Sequence, residues 1–260
     1  VTPPLAPGQR LLNDSPPPAA TSPLAAADAA ATALGTEIAG LAGSAGATLV
    51  SADLDVIRPS DRPAAVRSAL VTAVVPERGA DLRTEITVEL GDDESATARL
   101  RLALTTADAA DAASAGAASG LLCPGSSGWN TELEARLRED ESFARLIETY
   151  DGTIGASIGG RPVHIRCYRG QVLEVVTRSV RGADFLLDIP GEVFVDLITS
   201  DDNTFMESAM LGKMRSSGSG YEYLRMTTAL VRIIDHARAI AGTSGWVGAN
   251  TTSLEPLQVA

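Results

Sequence analysis

Few residues in this chain could carry chemistry by type and spacing. Only two histidines occur, His164 and His236, both in the second half, so residues 1 to 125 offer no imidazole to share a proton with a carboxylate. His164 falls on the outward side of an alternating segment with Arg166 and Tyr168, and is expected to face solvent. His236 follows Asp235, one turn after Arg232 on a helical pattern, and is expected at the surface or a helix end. Cys123 and Cys167 are too few for a disulfide framework, and neither has a second Cys or a His at metal-ligand spacing. Cys167 reads as a small core residue. There is no G-x-S-x-G nucleophile elbow. The SSGSG run at 216 to 220 follows Lys213 but lacks phosphate-loop spacing, so a strand end and turn account for it. All four methionines, Met206, Met210, Met214 and Met226, fall within 21 residues, in the half that also holds Phe185, Phe194 and Phe205. Soft side chains adapt to apolar ligands of variable shape, and they also fill ordinary cores.

Composition narrows the classes further. The 260 residues include 21 basic and 33 acidic side chains, a formal net charge of −12, and that excess repels the phosphate backbone of a nucleic acid. No nucleic-acid partner is expected. Hydrophobic residues make up 45% and charged ones 21%, enough to bury one sizeable core or two small ones. No apolar run reaches the roughly 20 residues that span a bilayer, and the opening VTPPLAPGQR lacks a signal peptide's basic and apolar regions. A cytoplasmic protein with no membrane insertion, no metal and no cofactor is the expectation.

The elements that must position these residues follow from the punctuation of the chain. Asp108 to Gly128, DAADAASAGAASGLLCPGSSG, has no periodic apolar face and suits a flexible connection. This predicts domains at 1–107 and 129–242, a linker at 108–128 and a tail at 243–260. Net charges of −7 for 1–125 and −5 for 126–260 leave neither half basic. In the first half, Ser22 or Thr21 is a good N-cap for an alanine-rich helix from Pro23 to Ala42. Four strand-like segments follow with period-2 alternation. Val50, Ala52, Leu54 and Val56 alternate with Ser51, Asp53 and Asp55; Ile86, Val88 and Leu90 alternate with Thr87 and Glu89; Leu100, Leu102 and Leu104 alternate with Arg99 and Arg101. Turns are expected at Arg58-Pro59-Ser60-Asp61, Pro76-Glu77-Arg78-Gly79 and Gly91-Asp92-Asp93. One helix and a run of antiparallel strands must then bury each other.

This order, with GATLVSADLDVIRPS at 46 to 60, resembles the hotdog fold of acyl-thioester enzymes over about residues 5 to 107, especially small thioesterases of the phenylacetate-pathway type. That family carries a His-Gly-Gly before its helix and an acid within it. Here Asp28 supplies the acid, while Ala19, Ala20 and Thr21 stand at the His-Gly-Gly place. The resemblance implies a catalytic carboxylate at Asp28, whose pKa would rise if the helix partly desolvates it. As an ordinary helix residue it would instead favour the N-terminal end of the dipole. Hydratase chemistry, which needs an Asp and His pair, is disfavoured. Arg58, Arg62, Arg67, Arg78 and Arg83 could meet coenzyme A phosphates, and a solvated strand face explains them equally well. Hotdog domains pair through their sheets, which implies a homodimer or higher homo-oligomer.

In the second half, apolar residues at helical spacing predict a helix from Trp129 to Tyr150. Strands are expected at 153–158, 163–168, 172–180 and 183–188, with hairpin turns at Gly159-Gly160 and Arg169-Gly170. Short helices at 190–199 and 204–211, an edge strand at 213–217 and a long helix from Tyr221 to Ile240 complete the pattern. The text YDGTIGASIGGRPVHIRCYRG, then ADFLLDIPGEVFVDLI, then AMLGKMRSSGSG before a terminal helix, is similar to the sterol carrier protein domain family over about residues 130 to 241. The resemblance implies a five-stranded sheet backed by helices around an apolar tunnel. It places Phe194, Met206, Met210, Met214 and Met226 in the tunnel wall.

The expected fold class is α+β, a hotdog-like helix wrapped by antiparallel sheet followed by a sterol-carrier-like domain. The expected function is binding or carriage of an apolar, lipid-like or acyl-linked small molecule, with the hotdog half used for dimerisation and a second pocket. The partner would be that ligand, as such or as an acyl-CoA or acyl-carrier thioester. The alternatives are a thioesterase or other biosynthetic enzyme acting on a fatty acyl or polyketide thioester through Asp28, and a scaffold that only assembles.

Overall fold

Small side chains decide the first unit of the chain. In the computed structural model, which describes residues 5–12, 16–17, 19–20, 22–42, 46–58, 64–77, 81–92, 95–107 and 120–249, Ser22 caps helix α1 (Pro23–Leu41) by accepting from the Ala25 amide at 3.2 Å. Ala26, Ala27, Ala30, Leu34 and Ile38 form the buried face of that helix, a spacing of three and four residues that keeps them on one side. Strands β1 (Arg10–Leu11), β2 (Ala47–Val56), β3 (Ala65–Pro76), β4 (Leu82–Gly91) and β5 (Ala96–Thr106) form an antiparallel sheet in the order β1-β3-β4-β5-β2, and α1 packs on β2 to β5. Thr21, Pro59, Ser60, Asp61, Arg62, Arg78, Gly79 and Asp93, the linker through 119 and the tail from 250 lie outside the described residues.

The alternation holds where the sheet is covered. Ile86, Val88 and Leu90 are buried opposite Leu102, Leu100 and Ala98. It fails to bury β2, where Val50 and Val56 are each 52% exposed although Leu54 and Val56 share a face with Leu100 and Ala98. As the outermost strand β2 has a single sheet neighbour, β5, and a bulge between Leu49 and Ser51 shifts its register.

The chain divides by contacts into Val1–Ala118 and Ser119–Ala260. In the second unit, β6 (Asp151–Ile158), β7 (Arg161–Tyr168) and β8 (Gln171–Val176) form a meander, β9 (Phe185–Ile189) lies parallel to β6, and β10 (Arg215–Gly218) closes the order β10-β9-β6-β7-β8. Gly159 and Gly160, at φ of 56° and 81°, make the β6–β7 turn that the sequence predicts. Helices α2 (Ser127–Glu139), α3 (Glu141–Leu146), α4 (Gly191–Thr199), α5 (Phe205–Met210), α6 (Gly220–Arg225) and α7 (Thr227–Ser244) complete it. α2 seals the outer edge of β8, since Glu134 accepts from the Val175 amide at 2.7 Å and Arg138 donates to the Val172 carbonyl at 2.9 Å.

Two long helices expected from periodicity are each broken in two. The first breaks at Asp140, which leaves helical geometry to cap α3 by accepting from the Ser142 and Phe143 amides. The second breaks at Met226, between α6 and α7. Leu122 and Cys123, within the expected linker, are buried. Trp246, within the expected tail, is 5% exposed and donates to the Leu121 carbonyl at 3.2 Å.

Candidate functional site

An apolar cavity of about 30 Å³ lies between the sheet of the second unit and its helices. β6 contributes Ile154, Ala156 and Ile158 to the wall, β7 contributes Val163 and Ile165, and β9 contributes Leu187 and Ile189. Trp129 and Leu133 come from α2, Phe194 from α4, Phe205 from α5, and Leu230, Ile233, Ile234 and Ala237 from α7. One water needs roughly 10–15 Å³ and two or more polar partners. This wall has the space without the partners, so it favours apolar atoms. The tunnel that the sterol-carrier resemblance implies is narrow here: the space between helices and sheet takes a few carbon atoms, and a long alkyl chain requires them to part.

Of the five residues expected to line the cavity, Phe194 does so, with edge contacts to Trp129 at 6.3 Å and Trp246 at 6.0 Å between ring centroids. Met214 and Met226 are buried outside this lining, while Met206 and Met210 are 45% and 83% exposed. The six-residue α5 turns Phe205 and Ser208 inward, so Met206 and Met210, four apart on its other face, point to solvent. Clustering along the sequence was therefore a poor guide to the wall. The better signals were the alternation of Ile154, Ala156 and Ile158, that of Val163 and Ile165, and the four-residue spacing of Trp129 and Leu133.

Beside the cavity lies a polar cluster that the sequence reading missed. His236, expected at the surface, is 4% exposed, and Arg232 is 6% exposed. Both reach back to the elbow between α2 and α3, where Asp140 Oδ2 accepts from Arg232 Nε at 2.5 Å and lies 2.8 Å from His236 Nε2. Burial alone would raise the Asp140 carboxyl, but hydrogen bonds from Arg232, His236 and the Phe143 amide outweigh it and hold the pKa at about 2. An ionised Asp140 accepts only, so His236 Nε2 carries the proton. Its Nδ1 is then a bare, buried acceptor without a hydrogen-bond partner among the described residues. Burial, followed by the Arg232 charge, lowers the His236 pKa against the pull of Asp140. An open recess of about 430 Å³ covers the cluster, lined also by Arg136, Glu139, Glu141, Ser142 and Arg145. The four-residue spacing of Arg232 and His236 and the capping run Asp140-Glu141-Ser142 are the sequence signals for it.

In the first unit Asp28 lies on the outer face of α1, in an open groove of about 620 Å³ with Ala31, Thr32, Gly35 and Leu49 among its walls. Asp28 is exposed, which corrects the expectation of partial desolvation: its neighbours one turn away on α1, Leu24, Ala25, Ala31 and Thr32, leave it uncovered, and Leu24 is itself 71% exposed. Arg67 donates to the Asp92 carbonyl and Arg83 pairs with Glu85 at 3.2 Å, while Arg58 is exposed. His164 is half-buried, with Nδ1 unpartnered among the described residues. Cys167 is buried, which pushes its thiol up to about 12 and makes it inert. Tyr150 donates to Asp184 at 2.7 Å, and burial with that carboxylate raises its pKa. Among the described residues no cluster of His, Cys, Asp or Glu could hold a metal, and no helix is long and apolar enough to cross a membrane.

No protein-family model matches the chain, and no curated protein matches it. Solved structures do. A crystal structure of sterol carrier protein 2 aligns with 44% of this chain and 97% of its own, at 13% identity and a TM-score of 0.38. The ubiquinone synthesis protein UbiJ-SCP2 aligns with 42% of this chain and 88% of its own, at 14% identity and a TM-score of 0.32. The sterol carrier protein domain 2 of Helicoverpa armigera covers 42% of this chain and 84% of its own, at 19% identity and a TM-score of 0.31.

Proposed function

We propose that the second unit binds and carries an apolar or acyl-linked small molecule in the cavity between its sheet and helices α2, α4 and α7. The supporting observation is the wall itself, formed by apolar side chains from seven elements around a space with no polar partner. Burying a guest's apolar surface there contributes roughly 25 cal/mol per Å², offset by the cost of parting the helices from the sheet. Titration of the full chain with a fluorescent fatty acid tests this reading. Saturable binding at one site per chain is expected, weakened about tenfold or more by Ala237→Leu, which fills the cavity. Absence of saturable binding, or an undiminished affinity in that variant, contradicts it.

A second reading concerns the first unit. A helix packed against an antiparallel five-stranded sheet, with Asp28 in a groove beside it, supports thioester hydrolysis by Asp28. The exposed edge strand β2 would pair with that of a second copy to bring two grooves together. Hydrolysis of short and long acyl-CoA substrates that disappears in Asp28→Asn would support this reading. Equal turnover in both proteins, or none in either, would exclude Asp28 from chemistry.

A further inference from the structure

We propose that Asp140, Arg232 and His236 form the clasp of a gate between α2 and α7, and that guests reach the cavity through the recess above it. The inference rests on the carrier reading for its purpose and on separate geometry for its existence. Trp129 and Leu133 of α2 and Ile233, Ile234 and Ala237 of α7 wall the cavity. On the same two helices, Arg136 with Glu139 and Arg232 with His236 wall the recess. The pair of helices that covers the cavity therefore also floors the recess. What joins them there is polar: a single carboxylate oxygen at the end of α2 that binds two side chains of α7. Parting α2 from α7 at this point separates Asp140 from Arg232 and His236.

The clasp is built to loosen in acid. A second proton on His236 would sit at Nδ1, where no acceptor waits among the described residues. The charges around it are Asp140 at the elbow, Arg232 and Asp235 on α7, Arg136 and Glu139 from α2, and Glu141 and Arg145 from α3. Of the elements that also pack on α7, α4 carries Glu192, whose carboxylate oxygens are buried, and Asp196, and α5 carries Glu207. Asp140 attracts the imidazolium, but burial and the Arg232 charge outweigh that pull, so the charged ring is better hydrated in the recess, with the clasp undone.

Hydrogen exchange on the full chain, corrected for intrinsic rates, at about pH 7.5 and about pH 5.5 tests the clasp without any guest. In the unaltered protein, amides of residues 127–146 and 227–244 should lose up to about tenfold of their protection at the lower pH, the most that one histidine of ordinary pKa in the opened state supplies, while β6 and β7 keep theirs. His236→Gln can still donate to Asp140 but cannot take the charge, and should show the same protection at both values. Asp140→Asn, which retains the cap on α3, should show reduced protection at both. Protection that does not change with pH, or that falls equally in His236→Gln, overturns the clasp. Association of a fluorescent fatty acid should accelerate in acid in the unaltered protein and not in His236→Gln. Binding without that acceleration overturns the gate, whereas no binding at either pH contradicts carriage and leaves the exchange result to decide the clasp.

Discussion

One oxygen of Asp140 lies 2.8 Å from His236 Nε2 and 2.5 Å from Arg232 Nε, tying α7 to the elbow between α2 and α3. His236 is held below its ordinary pKa of 6.5, so the unfolded chain binds a proton more readily than the folded one. Stability from this residue is complete above about pH 6.5 and falls as pH drops toward the folded value. Asp140 has the opposite chemistry and the same sign: its carboxyl, lowered from 3.8 to about 2, contributes stability above 3.8 that is lost as pH falls toward 2. Urea midpoints measured across this range should show both declines, and His236→Gln should remove the upper one alone.

Cutting the clasp at its shared partner should cost more than altering either arm. Asp140→Ala removes the carboxylate shared by Arg232 and His236 together with the cap of α3, and should destabilise by about 3–5 kcal/mol. Asp140→Asn keeps the acceptor for the Ser142 amide and should cost less. Denaturant unfolding of the two variants checks the order, and equal losses would mean that the charge contributes nothing.

Much of the fold was legible because it depends on local pattern. Val163, Ile165 and Cys167 are buried as their alternation requires, and Ser22 caps α1. The departures have tertiary causes. β2 carries a strand's pattern but lies at an edge, and its exposure depends on what covers it. Asp140 falls inside a helical period, yet its carboxylate accepts from the Ser142 and Phe143 amides and from side chains of α7, and breaks the helix. His236 looked like a surface residue because its partner lies 96 positions earlier in the chain. The sterol-carrier resemblance implies one wall for Phe194 and the four methionines; Phe194 borders the cavity, whereas Met206 and Met210 share the exposed face of the six-residue α5, which a family pattern does not fix.

The cavity should respond to volume in both directions. Leu133→Ala enlarges it and should cost about 2–5 kcal/mol of stability, while raising affinity for a small apolar probe such as benzene. Thermal unfolding with and without the probe checks this, and a larger midpoint shift in the variant than in the unaltered protein is the expected sign.

Tyr150 links the end of the α3 segment to β9 through Asp184, whose Oδ2 also accepts from the Thr153 amide at 3.1 Å. Ultraviolet titration should find one tyrosine that fails to ionise with the others until the protein unfolds. Tyr150→Phe should abolish that late step and cost about 1.5–3 kcal/mol, the range for a hydrogen bond to a charged group.

Native mass spectrometry of the intact chain, as purified and after incubation with a long-chain fatty acid, tests most directly whether the second unit takes a guest into its interior. One retained or added lipid mass per chain, lost in Ala237→Leu, is the expected result. A protein that carries no lipid mass at any concentration, or that carries it equally well with the cavity filled, would contradict carriage.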